Sequence, residues 1–156
     1  MDRQEIVAYL AGVFDGEGAV MIFKSSPRGR YKSPIYRLVV SVTNTNRELL
    51  EFAQKHLGGN VRGPYVRGAK WSPSYRWEMD DDEAIEFLKN IELYTQAKLE
   101  HIKVAIEFRE QISQSRTGSL GRGHGSKPMS NVEVEAREAC YQRMKRLNQR
   151  GLRQDE

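Results

Sequence analysis

The chain has 156 residues, a net charge of +4 and one cysteine. This length is sufficient for one domain with a substantial core, and no apolar stretch is long enough to cross a bilayer. A single cysteine excludes an internal disulfide, and the three histidines are too scattered to form a zinc-binding spacing.

The predicted elements alternate between helices and strands along the chain. Ile6, Leu10 and Phe14 lie on one face of a first helix, and Gly16 and Gly18 predict its end. Later segments show either the apolar alternation of strands or the apolar stripe of helices. The predicted helices cover residues 3–14, 46–57, 80–91, 96–113 and 131–148, and the predicted strands cover 19–25, 35–43, 60–67 and 74–79.

This order predicts an α+β domain with one antiparallel sheet that has helices on one side. Strand alternation then places Arg37, Ser41 and Arg76 on the other face of the sheet. Residues 113–130 are polar and rich in glycine, which is typical of a flexible linker. We therefore predict three segments, which are a core at 1–113, a linker at 114–130 and a C-terminal helix and tail at 131–156.

The charges are segregated along the chain. Two acid-free stretches, 18–47 and 52–77, carry 11 basic residues, whereas the rest holds 14 basic and all 21 acidic residues, a net of −7. Such segregation favours one face that binds a polyanion. The alternative is an ordinary solvated run of charge.

The stretch "YLAGVFDGEG" places Asp15 and Glu17 at the end of the first helix, where the helix dipole disfavours acids. Carboxylates beside free helix carbonyl groups suit a hard divalent cation. An EF-hand is excluded because acids occupy only the first two of its ligand positions, and a phosphate cradle would have its glycines before a helix. The alternative is that both acids are merely solvated in a glycine turn.

"YLAGVFDGEG" resembles the signature of the LAGLIDADG homing endonucleases, and the resemblance extends over residues 5–112 through "SVTNTNRELLEFAQKHLGG", "YRWEM" and "FLKNIELYTQAKLEHIKVAIEF". It implies an αββαββα fold with a saddle-shaped antiparallel sheet. It also implies an intron-encoded enzyme that makes site-specific double-strand breaks. The expected target is a long, pseudo-palindromic DNA duplex, cleaved by metal-dependent phosphodiester hydrolysis.

The resemblance also implies roles for particular residues. Glu17 matches the catalytic acid that ligates the metal, and the Gly16 carbonyl group supplies another oxygen. Asp15 belongs to the same metal site, with capping or support as its expected role. The expected cofactor is Mg²⁺, for which Mn²⁺ substitutes. Asn44 matches a residue that orients the attacking water, and Lys98 matches one that stabilises charge on the phosphate.

Because the chain has one such motif, the resemblance implies a homodimer in which two motif helices pack side by side. The small side chains of Ala8, Ala11 and Gly12 would permit this approach. The alternative is that Ala11 and Gly12 pack against helices of their own subunit.

DNA contacts are expected from the basic face of the sheet and from its turns. An antiparallel ribbon fits the major groove, where arginines reach guanines or phosphates and lysines reach mainly phosphates. Lys24 belongs to this set only if a bulge turns it away from its regular alternation. The predicted DNA-binding residues are Lys24, Arg28, Arg30, Lys32, Arg37, Ser41, Arg47, Arg62, Arg67, Lys70 and Arg76.

A second function stays open, in which the chain binds nucleic acid without cutting it, as an intron RNA maturase or a transcription regulator of the same fold. The two acids favour cleavage, because a protein that only binds gains nothing from negative charge beside phosphates. RNA is therefore the less favoured partner. The N-terminus lacks the organisation of a signal peptide, which predicts a cytoplasmic or organellar protein that is not secreted and has no membrane partner.

Overall fold

The computed structural model describes residues 1–29, 32–117 and 128–149. Within these ranges, no helix combines the length and apolarity needed to span a membrane. The predicted α+β order is confirmed. The elements are α1 (Arg3–Glu17), β1 (Gly18–Ser25), β2 (Ile35–Asn44), α2 (Arg47–Leu57), β3 (Asn60–Tyr65), β4 (Ser74–Asp80), α3 (Asp81–Ile91), α4 (Leu99–Thr117) and α5 (Asn131–Gln149).

The four strands form one antiparallel sheet in the order β1-β2-β4-β3. One face of the sheet is buried against the helices through alternate apolar residues such as Val20, Leu38 and Met79. The other face carries no helix among the described elements, and we call it the open face. The αββαββα arrangement with helices on one face is therefore present, and α4 and α5 follow it.

Helix α1 continues to Glu17, three residues past its predicted end. Gly16 does not stop it. The helix ends instead at Gly18, whose N–H donates to the Phe14 carbonyl and whose φ of −79° and ψ of 151° begin β1. A side chain at position 18 would overlap the buried Phe14 ring, so this close approach requires glycine. As a result, the two motif acids, Asp15 and Glu17, lie in the last helical turn.

Helix α5 packs against α4 and β1, and its Cys140 and Met144 are each 1% exposed within the main core. Asn148 Nδ2 donates to the Val20 carbonyl at 2.9 Å, which satisfies a polar group on an edge strand. Helix α4 passes the predicted core boundary at residue 113. The structure does not describe residues 118–127 of the predicted linker or residues 150–156 of the predicted tail.

Candidate metal site and nucleic-acid interface

The Asp15 carboxylate connects the end of α1 to the turn that leads into α4. It accepts hydrogen bonds from the Thr95 hydroxyl, from the Gln96 N–H at 2.6 Å and from the Ala97 N–H at 3.2 Å. Partial burial raises the pKa of Asp15, but the bonds from Thr95 and from the backbone of residues 96–98 outweigh this and lower the pKa below 3.8. Both Asp15 oxygens are thus used by protein donors, which fits support rather than direct metal ligation.

Replacing Asp15 with Asn should destabilise the fold by about 1–3 kcal/mol at neutral pH, because an amide NH₂ would face groups that are themselves donors. The pKa of Asp15 is lower in the folded state. Its stabilising contribution is therefore complete above the ordinary value of 3.8 and declines as the pH falls through the folded-state pKa. Urea unfolding of both proteins at pH values between about 7 and 3 should show the difference shrinking in acid.

The control for this variant is Glu110→Gln, which removes a charge from an exposed position of α4. It should change the free energy of unfolding by less than about 0.5 kcal/mol. An Asp15→Asn protein as stable as the wild type at neutral pH would contradict the capping role.

Glu17 and Asn44 lie together at one end of the sheet. Gly18 pairs with Val42, so the residues just before Gly18 face the C-terminal end of β2. Asn44 Nδ2 donates to Glu17 Oε2, and Asn44 Oδ1 accepts from the Asn46 N–H at 2.8 Å. The second bond fixes which side of the amide faces Glu17. Asn44 therefore orients the Glu17 carboxylate.

Lys98 belongs to the same end of the molecule through its backbone. Its N–H is among the groups that bind Asp15, and its carbonyl accepts from the Ile102 N–H at 2.9 Å at the start of α4. The three predicted catalytic positions, Glu17, Asn44 and Lys98, are thus grouped around the C-terminal turn of α1.

The donor chemistry at this turn suits a hard divalent cation. Glu17 and Gly16 are exposed, and carbonyl groups in a last helical turn lack intrahelical partners. Carboxylate and carbonyl oxygens are the ligands that Mg²⁺ takes, together with water. Within the described part of one copy, no group of three His, Cys, Asp or Glu side chains is placed to hold a metal ion.

The open face carries the arginines that strand alternation predicted. Arg37 on β2, Arg62 on β3 and Arg76 on β4 alternate with core residues and lie on this face. Ser41 also lies here but is buried, directly opposite Glu78 of β4.

Two acids that were not predicted as site residues, Glu78 and Asp80, also lie on the open face. Glu78 Oε1 is 2.8 Å from Arg62 Nε, and Asp80 Oδ2 is 3.4 Å from Arg37 Nη1. Arg76 lies 5.4 Å from the centre of the Tyr65 ring. The signal for the acids was present, because both alternate with the apolar residues of β4. The open face thus contains ion pairs rather than isolated arginines.

Lys24 would need a bulge in β1 to lie on the open face with the other predicted DNA contacts. The β1–β2 register continues without a bulge, so Lys24 lies on the helix-covered face. There its Nζ is 2.7 Å from Glu138 Oε2 of α5, which also accepts from the Tyr36 hydroxyl at 2.5 Å. Hydrogen bonds from Lys24, Tyr36 and Gln142 lower the pKa of Glu138 to about 2. Lys24 therefore joins α5 to the sheet.

Five of the remaining predicted DNA contacts are described by the structure, one on α2 and four in turns or loops. Arg47 Nε is 2.7 Å from Glu51 Oε1 within α2, and this hydrogen bond raises the pKa of Arg47. Arg30 lies outside the described residues. Four predicted contacts are exposed in turns or loops, namely Arg28, Lys32, Arg67 and Lys70.

The small residues of α1 divide between two environments. Ala11 is fully buried inside the subunit, which agrees with the alternative that it packs within its own subunit, and it has no surface left for a dimer interface. Ala8, Gly12 and Gly16 lie four residues apart and form one row along the helix. Ala8 is half-buried, whereas a Cβ added at Gly12 or Gly16 would meet nothing within 4 Å. Nothing in the described subunit therefore requires glycine at these two positions.

No protein-family model and no curated protein sequence matches the chain. Several solved structures match its fold. The archaeal intron-encoded homing endonuclease I-Vdi141I, complexed with DNA, is 17% identical, with a TM-score of 0.72 over 99% of this chain and 91% of that chain. The homing endonuclease I-CvuI, in complex with its target in the presence of calcium, is 19% identical, with a TM-score of 0.64 over 94% and 96%. The LAGLIDADG homing endonuclease I-GzeII, in complex with its DNA target, is 11% identical, with a TM-score of 0.64 over 86% and 43%.

Proposed function

We propose that this chain, which has the fold of the LAGLIDADG homing endonucleases, is a homodimeric, metal-dependent and site-specific DNA endonuclease. The observation that carries the proposal is the grouping of Glu17, Asn44 and the Lys98 backbone around the last turn of α1. This turn adjoins a sheet whose open face carries arginines. Carboxylate chemistry and a surface suited to phosphates thus occur side by side.

The row formed by Ala8, Gly12 and Gly16 supports the proposed homodimer. Glycine inside a helix costs about 1 kcal/mol relative to alanine, and the subunit itself has space for side chains there. If α1 packs closely against α1 of a second copy, Gly12 and Gly16 are needed because any side chain there would push the two helices apart. A twofold axis along this row brings together the two copies of Glu17.

In this dimer, Glu17 and the Gly16 carbonyl group of each copy would hold Mg²⁺, with Mn²⁺ as a substitute. The bound metal would polarise the scissile phosphate, lower the pKa of a water molecule and stabilise the departing oxygen. Asn44 keeps the Glu17 carboxylate oriented through its fixed amide. Lys98 adds positive charge near the phosphate, and Asp15 fixes the backbone that positions both groups.

DNA recognition would use the open face of both subunits. The arginines of β2, β3 and β4 would lie in the major groove, and the basic residues of the turns would bind phosphates. Two equivalent surfaces related by a twofold axis require a long and nearly palindromic target. The duplex would bend toward the two copies of Glu17. The energy of this bending depends on the central base pairs, so they would affect target preference without being contacted.

The proposal predicts cleavage with sequence preference. The protein is incubated with a library of duplexes that carry two randomised, symmetry-related half-sites, and the newly formed ends are sequenced. With Mg²⁺ or Mn²⁺, we expect double-strand breaks within a small set of related sequences. With EDTA, we expect no breaks. A folded protein that binds duplexes but cuts none with either metal would instead be a non-cleaving nucleic-acid binder.

A further inference from the structure

We propose that Glu78 is a positioning residue for sequence specificity, because it holds Arg62 in the geometry that reads a base and lowers affinity for DNA in general. Asp80 and Arg37 form a second ion pair on the open face, in which Asp80 contacts a terminal nitrogen of the arginine, Nη1. The inference rests on the proposed use of the open face for DNA. Neither Glu78 nor Asp80 is among the residues expected to bind metal, catalyse cleavage, contact DNA or form the dimer.

The two pairs occupy the open face itself. Asn60 and Glu78 are directly opposite each other, and so are Arg62 and Arg76. The side chains of Arg62 and Glu78 therefore meet diagonally across β3 and β4, with Nε and Oε1 at 2.8 Å. Arg62 stands opposite another arginine, and like charges in this arrangement repel. The Glu78 carboxylate offsets this repulsion and fixes the direction of Arg62.

Stability explains these acids only in part, because offsetting the repulsion between two exposed arginines contributes little to folding. The Arg62 side chain is 63% exposed and that of Glu78 is 24% exposed, so the pair is partly open to solvent, and such ion pairs contribute at most about 1 kcal/mol to folding. Asp80 occupies the N-cap position of α3, but its side chain makes no capping hydrogen bond. It lies instead 3.4 Å from Arg37. An acid in a surface for DNA weakens phosphate binding, so its presence requires a compensating role.

Ordering an arginine supplies that role. Glu78 contacts Nε, which leaves the two terminal nitrogens of Arg62 available for the O6 and N7 atoms of guanine. A side chain fixed before binding loses less conformational freedom in the complex. Because Glu78 neutralises the charge of Arg62, Arg62 also attracts the phosphates of non-specific DNA less strongly. Both effects raise the ratio of specific to non-specific affinity.

The test compares Glu78→Gln with Glu86→Gln, which removes the same charge from an exposed position on α3. Binding to a random-sequence duplex of about 30 base pairs is measured as a function of salt. Sequence preference is measured by binding selection from randomised duplexes without magnesium, so that cleavage is not needed. Thermal unfolding verifies that both variants fold.

For Glu78→Gln we expect about 5- to 10-fold tighter binding to the random duplex at about 0.1 M salt, and a salt slope steeper by about one ion. We also expect the preference for one guanine in each half-site to fall about 10-fold. Glu86→Gln should change neither quantity more than twofold. Arg62→Lys should lose the same guanine preference, and adding Glu78→Gln to it should cause no further loss.

Two results would overturn the inference. In the first, the wild type and Glu78→Gln select the same sequences with equal preference. In the second, the wild type selects no sequence, which would also remove the proposed site-specific function. A protein that selects a sequence but does not cleave it would contradict the nuclease activity alone and leave the role of Glu78 intact.

Discussion

Replacing Glu17 with Gln is expected to lower the rate of DNA cleavage at least about 1,000-fold while folding and DNA binding are retained. The amide has the same shape as the carboxylate but lacks the charge that a divalent cation needs. Its oxygen still accepts the hydrogen bond from Asn44 Nδ2, so the turn keeps its geometry. In a dimer, the change removes both charged ligands at once. The measurement is the single-turnover cleavage rate in Mg²⁺.

The control for this variant is Glu86→Gln, which lies on α3 and should cleave at the rate of the wild type. Binding of the selected duplex, measured without magnesium, should differ less than about threefold between the Glu17 variant and the wild type, since Glu17 serves the metal rather than the bases. Cleavage at the wild-type rate by the Glu17 variant would exclude Glu17 as a metal ligand.

The sequence predicted the fold well because its apolar periodicities are strong. The alternation in β2 and β4 and the stripe of α2 each indicate one element type, and the structure has those elements near the predicted bounds. The end of α1 was predicted wrongly because glycine propensity is a local signal. Here tertiary contacts override it, since Thr95 and the turn before α4 hold Asp15 in a helical position.

The candidate site was predictable only where the motif itself carries the information. The resemblance assigned Glu17 and Asn44 to the catalytic site separately, Glu17 through the motif and Asn44 through its place at the end of β2, and the structure shows a hydrogen bond between them. Thr95 was missed because a buried threonine between two helices has no signature in sequence. Strand alternation also places Glu78 and Asp80 on the predicted DNA-binding face, but their negative charge gives no signal for a surface that binds phosphates.

The role of α5 illustrates a different limit. Its apolar stripe predicted a helix, yet nothing in the stripe indicates which surface it covers. The partners of α5 are distant in sequence. Asn148 binds the Val20 carbonyl, and Glu138 binds Lys24 and Tyr36. Such contacts depend on the complete fold, so the sequence could not predict that Lys24 forms an ion pair with α5.

Replacing Gly12 with Leu should separate the two subunits and abolish cleavage while each subunit stays folded. A Cβ at Gly12 meets nothing within 4 Å in the subunit, and leucine favours helix over glycine by about 0.8 kcal/mol. The isolated subunit should therefore be as stable as the wild-type subunit or slightly more stable. In the dimer, the same side chain would push apart two helices packed along the row formed by Ala8, Gly12 and Gly16.

The matched control is Lys55→Leu, which adds the same side chain at an exposed position of α2 and should leave the dimer intact. Mass by light scattering and sedimentation at micromolar concentration should give a dimer for the wild type and for this control, and a monomer for Gly12→Leu. Cleavage by the Gly12 variant should fall at least about 100-fold, since one copy of Glu17 cannot complete the metal site. A Gly12→Leu dimer that cleaves DNA normally would place the interface elsewhere, and Glu17 would then have to act without its symmetry-related copy.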